Sequence, residues 1–208
     1  MKTHPLSTRL YALFVTLLVP MVALAWQSGS SIATPRIFEA IGVREGITVC
    51  EMGAGDGELT IAAARVVGAS GRVYSSELGE DRVKALREKV SASGLAQITV
   101  VTGDPVKTNF PDATCDALFM RNVYHHFGDP ATIGAAIAAS VKPGGRVAVI
   151  DFTPPKEAGR PEDRGKDGMH GVMPETVSRE LQQAGFEPVS SETGSQRWFM
   201  IVAAKPKS

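Results

Sequence analysis

The sequence predicts an α/β protein, a three-layer sandwich around a mostly parallel seven-stranded sheet with one antiparallel strand near the C-terminus. Three observations point there. Short apolar runs alternate with helix-length segments from residue 47 to residue 150, the pattern of βαβ units with right-handed crossovers. A glycine-rich loop, Glu51 to Gly57, lies directly between the first run and the first long helical segment. Two final runs, Phe186 to Ser190 and Trp198 to Ala203, are close enough to form a hairpin and so add the antiparallel strand.

The elements follow in order. Ser28 to Thr34 is small and polar and reads as a linker, after which Pro35 to Ile41 reads as a short amphipathic helix started by proline. The folded domain is expected to span 35–208, after a linker at 26–34. Strands are expected at Ile47 to Met52, Arg72 to Ser76, Ile98 to Val101, Asp116 to Met120 and Arg146 to Ile150. Helices are expected from Glu58 to Val67, Gly79 to Ser93 and Pro130 to Val141, with Lys142-Pro143-Gly144-Gly145 as the turn before the fifth strand. Phe152 to Met169 is rich in proline, glycine and charge and reads as an exposed loop bordering a site. A last helix starts at Pro174 and stops near Gly185.

With 208 residues, 43% of them apolar and 21% charged, the chain can bury one core. Basic and acidic residues both number 22, so there is no positive field of the kind that draws a protein onto nucleic acid. The first 25 residues differ from the rest. Lys2, His4 and Arg9 precede an apolar stretch from Leu10 to Ala25 that ends in Ala23-Leu24-Ala25, a secretory signal pattern. The stretch is shorter than the roughly 20 residues that span a bilayer. A cleaved signal and an exported protein are therefore expected, with a membrane-tethered or cytoplasmic chain as the alternative. Cleavage would remove Lys2 and Arg9 and no acid, leaving 20 basic against 22 acidic groups. Cys50 and Cys115 sit at offset positions, one near the end of a strand and the other at the start of its neighbour. That offset argues against a disulfide, and no histidine spacing suggests zinc.

Glycines at 53, 55 and 57 let the chain turn tightly and approach a ligand closely, and the helix that follows offers free N–H groups to an anion. A nicotinamide-binding fingerprint would need a third glycine where Glu58 stands. A P-loop would need a lysine that is missing. What Glu51, Gly53, Gly55 and Gly57 resemble is the E/D-x-G-x-G-x-G motif of class I, Rossmann-like methyltransferases that use S-adenosylmethionine (SAM). Other elements keep that family's order. Glu77 ends the second strand 20 residues after Gly57, Gly103-Asp104 ends the third, Cys115 to Asn122 holds the fourth, and Lys142 to Arg146 precedes the fifth.

The resemblance implies SAM as cofactor, bound by Glu51, Gly53, Ala54, Gly55, Gly57, Glu77, Leu78, Gly103, Asp104 and Asn122. In it Glu51 faces the ammonium, Glu77 the ribose hydroxyls and Asp104 the adenine amino group.

Arg121-Asn122-Val123-Tyr124-His125-His126-Phe127 lacks the Asn/Asp-Pro-Pro-aromatic signature of amino-group methylation on nucleobases or glutamine. It resembles small-molecule methyltransferases of the ubiquinone-biosynthesis type. Adjacent histidines cannot form an i, i+4 metal pair, and no metal is expected. One reading makes one histidine a hydrogen-bonded core residue and the other a cover for the cofactor. The other makes one a general base. Tyr124 and His170 complete the catalytic candidates. The expected activity is methyl transfer from SAM to a small-molecule acceptor, the alternative being a non-catalytic SAM or adenosyl-ligand binding module. No nucleic-acid partner is expected, and membrane contact only through an uncleaved N-terminus.

Overall fold

The computed structural model describes residues 32–155 and 171–207. The proposed signal segment, His170 and most of the loop expected over Phe152 to Met169 lie outside them. The elements run α1 (Thr34–Ile41), β1 (Thr48–Met52), α2 (Glu58–Val67), β2 (Arg72–Glu77), α3 (Glu80–Ser93), β3 (Ile98–Thr102) and β4 (Cys115–Arg121). A single 3₁₀ turn (Tyr124–His126) follows, then α4 (Pro130–Ser140), β5 (Val141–Phe152), α5 (Pro174–Gln183), β6 (Glu187–Thr193) and β7 (Trp198–Ala204). The sheet order is β3-β2-β1-β4-β5-β7-β6. β7 runs antiparallel to both of its neighbours, while β1 to β5 pair in parallel.

Period-two alternation along the central strands serves two cores. Val49, Val73, Ala117, Phe119, Ala148 and Ile150 face α1 and α2, where Ile37, Phe38, Leu59, Ala63 and Val67 pack on them. Cys50, Met52, Leu118, Met120, Val147 and Val149 face the other way, against Ile133 and Ile137 of α4 and Val177 and Leu181 of α5. Burial on both faces is why these strands read as continuous apolar runs. Helix starts follow local chemistry. Pro130 stands in the first turn of α4, and the Asp129 carboxylate caps the helix by accepting from the Thr132 N–H at 3.0 Å and the Thr132 hydroxyl at 2.6 Å.

Two expectations are corrected. Cys50 and Cys115 form a disulfide, with Cα atoms 5.7 Å apart and both residues fully buried. The offset argument assumed that the β1–β4 ladder extends to Cys115, but the first pair between these strands is Val49 with Ala117, and Cys115 lies before it. The segment Lys142 to Gly145, expected as a turn, is part of β5. It bulges from the ladder, since pairing with β4 passes from Val141 to Arg146, and is held by the Gly144 N–H donating to the Lys205 carbonyl and the Lys205 N–H to the Gly145 carbonyl, both at 2.9 Å. Other boundaries differ by a residue or two, except that β6 extends to Thr193, opposite Phe199.

Candidate functional site

Sheet order reverses between β1 and β4, and a crevice outside the carboxyl ends of strands at such a point is where open α/β sheets bind ligands. A cavity of about 700 Å³ opens there, lined by the loop after β1, the ends of β2 and β3 and the segment after β4. The two sides of the cavity are built differently.

On the first side the glycine loop is fastened to β2. Gly53 and Ala54 donate their N–H groups to the Ser76 carbonyl at 2.9 Å. The Glu77 carboxylate, 6% exposed, accepts from the Gly55 N–H at 2.6 Å and from the Leu78 N–H at 2.8 Å, with Arg82 at 3.6 Å. Gly55 has φ of +55°, and a Cβ placed on it would meet nothing within 4 Å, because it looks into the cavity. Gly53 is glycine for a second reason besides its φ of +70°. A Cβ there would lie 2.3 Å from Cγ2 of Val123, so the loop and the segment after β4 are in close contact.

Glu51 is buried at the floor of this side, accepting a hydrogen bond from the Thr60 hydroxyl, which also shares one with Ser75 at 2.8 Å. Burial pushes its carboxyl up to about 8; Thr60 and the Arg121 guanidinium oppose that rise, while Glu77 and Asp56 add to it. The Leu78 side chain borders the cavity and is 42% exposed, an apolar surface available to a flat ring. Asp104 lines the same end, with one oxygen accepting from the Val106 N–H at 2.8 Å.

The second side follows β4. Asn122 has φ of +62° and donates its N–H to the Ile150 carbonyl at 2.8 Å. The 3₁₀ turn that follows sorts three candidates. Tyr124 is 1% exposed and packs edge-on against Phe127. His125 is buried, with Nδ1 2.9 Å from the Asp151 carboxylate. His126 is exposed and lines the cavity, its ring 3.9 Å from that of His125. Arg121, partly buried, lines it too and lies 3.9 Å from Glu58.

Of the residues expected around a cofactor, all line the cavity but Gly57, which caps α2. Of the catalytic candidates among the described residues only His126 does; Tyr124 and His125 face inward. Sequence reasoning missed Asp151, which holds His125, and Arg121 and Lys107, which line the cavity. The signal for Asp151 was an acid closing an apolar strand, a place where acids are common. Among the described residues, no group of three or more His, Cys, Asp or Glu side chains could hold a metal ion, and no helix is long and apolar enough to cross a membrane.

Residues 50–149 match a family described as a methyltransferase domain. The chain is similar to the ubiquinone/menaquinone biosynthesis C-methyltransferase UbiE of Saccharophagus degradans, 33% identical over 121 residues that make up 58% of this chain and 49% of that protein. The chain spans about half the length of the curated relatives it matches. A SAM-dependent methyltransferase structure from Aquifex aeolicus superposes with a TM-score of 0.69 at 25% identity, covering 84% of this chain and 90% of that one. The [4+2]-cyclase SpnF superposes with a TM-score of 0.74 at 19% identity, covering 84% and 81%, a likeness of fold alone.

Proposed function

We propose that this chain is a class I SAM-dependent methyltransferase that transfers a methyl group from SAM to a small-molecule acceptor entering the cavity beside His126, a reading supported by the methyltransferase-domain match over residues 50–149, the UbiE relatives and the Aquifex aeolicus structure. The observation that carries this reading is the cavity itself. SAM has a carboxylate, an ammonium, a sulfonium, a ribose and an adenine but no phosphate, and the residues present fit that inventory. Gly55 leaves open space, Glu51 and Glu77 supply carboxylates, Leu78 supplies an apolar wall, and no lysine stands at a phosphate position.

When bound, SAM supplies a methyl group on a positive sulfur, open to in-line displacement by the acceptor's nucleophile. The chain's part is to hold and orient. Glu51 faces the ammonium, Glu77 the ribose hydroxyls and Asp104 the adenine amino group. An imidazole nitrogen of His126 takes the proton that the acceptor's nucleophile loses, and Arg121 supports negative charge on an acidic oxygen or carbon. Positioning two reactants lowers a barrier by roughly 7–11 kcal/mol, and general base catalysis adds about 10²–10⁴-fold. An acceptor of the phenol or activated-carbon class suits this arrangement, and the C-methyltransferase name of the UbiE relative supports it.

The test is SAM titration by calorimetry, followed by incubation with labelled SAM and small-molecule extract of the native cell. We expect binding and a labelled small product. Binding with no transfer would instead favour a SAM-binding module, since one fold can host different functions.

An oxidising location is part of this proposal. Disulfides persist outside the reducing cytosol, and the buried Cys50–Cys115 bridge supports export alongside the basic-then-apolar N-terminus. An exported enzyme would draw SAM from the cytosol, where it is made. Cell fractionation with N-terminal sequencing of the native protein checks both location and cleavage.

A further inference from the structure

We propose that Asp151, at the end of β5, is a positioning residue that acts through His125 to orient His126 and raise its proton affinity at the acceptor side of the cavity; this rests on the reading of His126 given above. Asp151 is fully buried in a strand whose neighbouring positions are apolar. A buried carboxylate is costly unless donors surround it, and this one has them. Oδ1 accepts from the Phe152 N–H at 2.8 Å and lies 2.9 Å from Nδ1 of His125. Oδ2 accepts from the His125 N–H at 3.1 Å and lies 3.1 Å from the same Nδ1. The carboxylate accepts only, so Nδ1 of His125 carries the proton and the tautomer is fixed.

The His125 ring is then held on three sides. Asp151 holds its edge, Phe152 lies against it at 5.1 Å between ring centres, and the His126 ring packs on it at 3.9 Å, tilted by 43°. His126 is the member of this set that reaches the cavity. The series Asp151, His125, His126 therefore runs from the buried sheet to the solvent-facing wall, with the negative charge at its inner end. An apolar residue at 151 would leave the His125 N–H and Nδ1–H without that acceptor.

Other charged groups lie around the cavity that His126 lines. Arg121 stands on the same segment, Asp129 caps the next helix, and Glu51, Asp56 and Glu77 with Arg82, Asp104 and Lys107 share the cavity. None of them changes when Asp151 alone is replaced. Removing a buried charge from behind the ring that His126 packs on moves a partly screened titration by on the order of half to one pH unit.

The experiment is nitrogen-detected NMR titration of the four histidines in the full chain, assigned with His126→Gln, on wild type and Asp151→Asn, with SAM affinity measured in parallel. We expect wild-type His125 to carry its proton on Nδ1. In Asp151→Asn the His126 midpoint should fall by about half a unit or more, with SAM affinity changed less than about twofold, and Asp151→Glu should restore most of the shift. An unchanged His126 midpoint in a folded Asp151→Asn chain would show that Asp151 only ties the 3₁₀ turn to β5, and would overturn the proposal. Should that variant fail to fold, the wild-type spectrum decides: His125 protonated on Nε2 alone, or a His126 midpoint below the free imidazole's value of about 6.5, overturns it, whereas Nδ1 protonation of His125 together with a His126 midpoint above about 6.5 supports it. These readouts need no methyl acceptor. Failure of methyl transfer shows separately, as SAM binding without turnover.

Discussion

The two sides of the cavity are held in place by different means. On the β1–β2 side the scaffold is mainly backbone: glycine-loop N–H groups bond to the Ser76 carbonyl, and the Glu77 carboxylate closes the loop over β2. On the side after β4 the scaffold is side chains, with Asp151 fixing His125 and His125 backing His126. Backbone cradles suit a cofactor shared by many enzymes, because every residue type supplies N–H groups. Side-chain stacks suit an acceptor particular to one enzyme, because each replacement changes the shape or charge presented. The two sides touch where Gly53 meets Val123, so neither can be widened without pressing on the other.

The largest effect should come from Gly55→Val. Its side chain would fill the space that the methionine tail of SAM needs, at a φ of +55° that a β-branched residue resists. SAM binding should be lost in calorimetry while circular dichroism stays native. Retained tight binding would break the assignment of the cofactor to the β1–β2 side.

The next effect concerns what joins the two sides beneath the cavity. The Cys50–Cys115 bridge links β1 to β4 across 65 residues of chain, and removing a cross-link of that span costs about 4 kcal/mol by loop entropy. Cys50→Ser with Cys115→Ser should lower the melting temperature by roughly 10 °C. A change of only a degree or two would mean that sheet packing alone holds the sides together.

A smaller effect is expected from Glu77→Ala, which removes hydrogen bonds to a charged group worth about 1.5–3 kcal/mol, or roughly tenfold to over a hundredfold in Kd for SAM. Glu77 also holds the Gly55 N–H, so Glu77→Gln separates the two roles. It keeps an acceptor for the loop and loses the charge, and should fall between wild type and Glu77→Ala.

The smallest effect is a pH dependence. Glu51 is raised from 4.5 to about 8 in the fold by burial. Between those values the folded chain keeps a proton that the unfolded chain has lost, so this group makes stability fall as pH rises through that window. Pairing with the ammonium of SAM favours the carboxylate, so SAM affinity should rise toward pH 8 by less than about tenfold per unit, with proton release on binding. Glu51→Gln should flatten both dependences, as denaturation and calorimetry across pH 5 to 9 would show. A slope that survives the substitution would place the titrating group elsewhere.

The same contrast explains what the sequence disclosed. Glu51, Gly53 and Gly55 lie within five residues of chain, and Glu77 follows at a fixed crossover length, so strand-loop-helix spacing made the cofactor side readable. The Asp151–His125 pair joins positions 26 residues apart through two neighbouring strand ends, a juxtaposition that exists only once β4 and β5 are paired. His125 and His126 were indistinguishable as adjacent letters; the 3₁₀ turn points one inward and the other outward. The disulfide was misread because Cys115 lies before the first β1–β4 pair, where strand offset does not set its distance from Cys50, and the Lys142 to Gly145 segment because its partner, Lys205, lies at the far end of the chain.

The disulfide also sets a clock on biosynthesis. Cys115 follows Cys50 by 65 residues, which at about 5–20 residues per second means that Cys50 waits on the order of 3–13 seconds for its partner to be synthesised. During that interval β1 has no β4 to pair with and its thiol is free to react with another. A cell that makes this chain therefore gains from keeping it reduced until β4 is complete and oxidising it afterwards, an order that delivery across a membrane after synthesis imposes by itself.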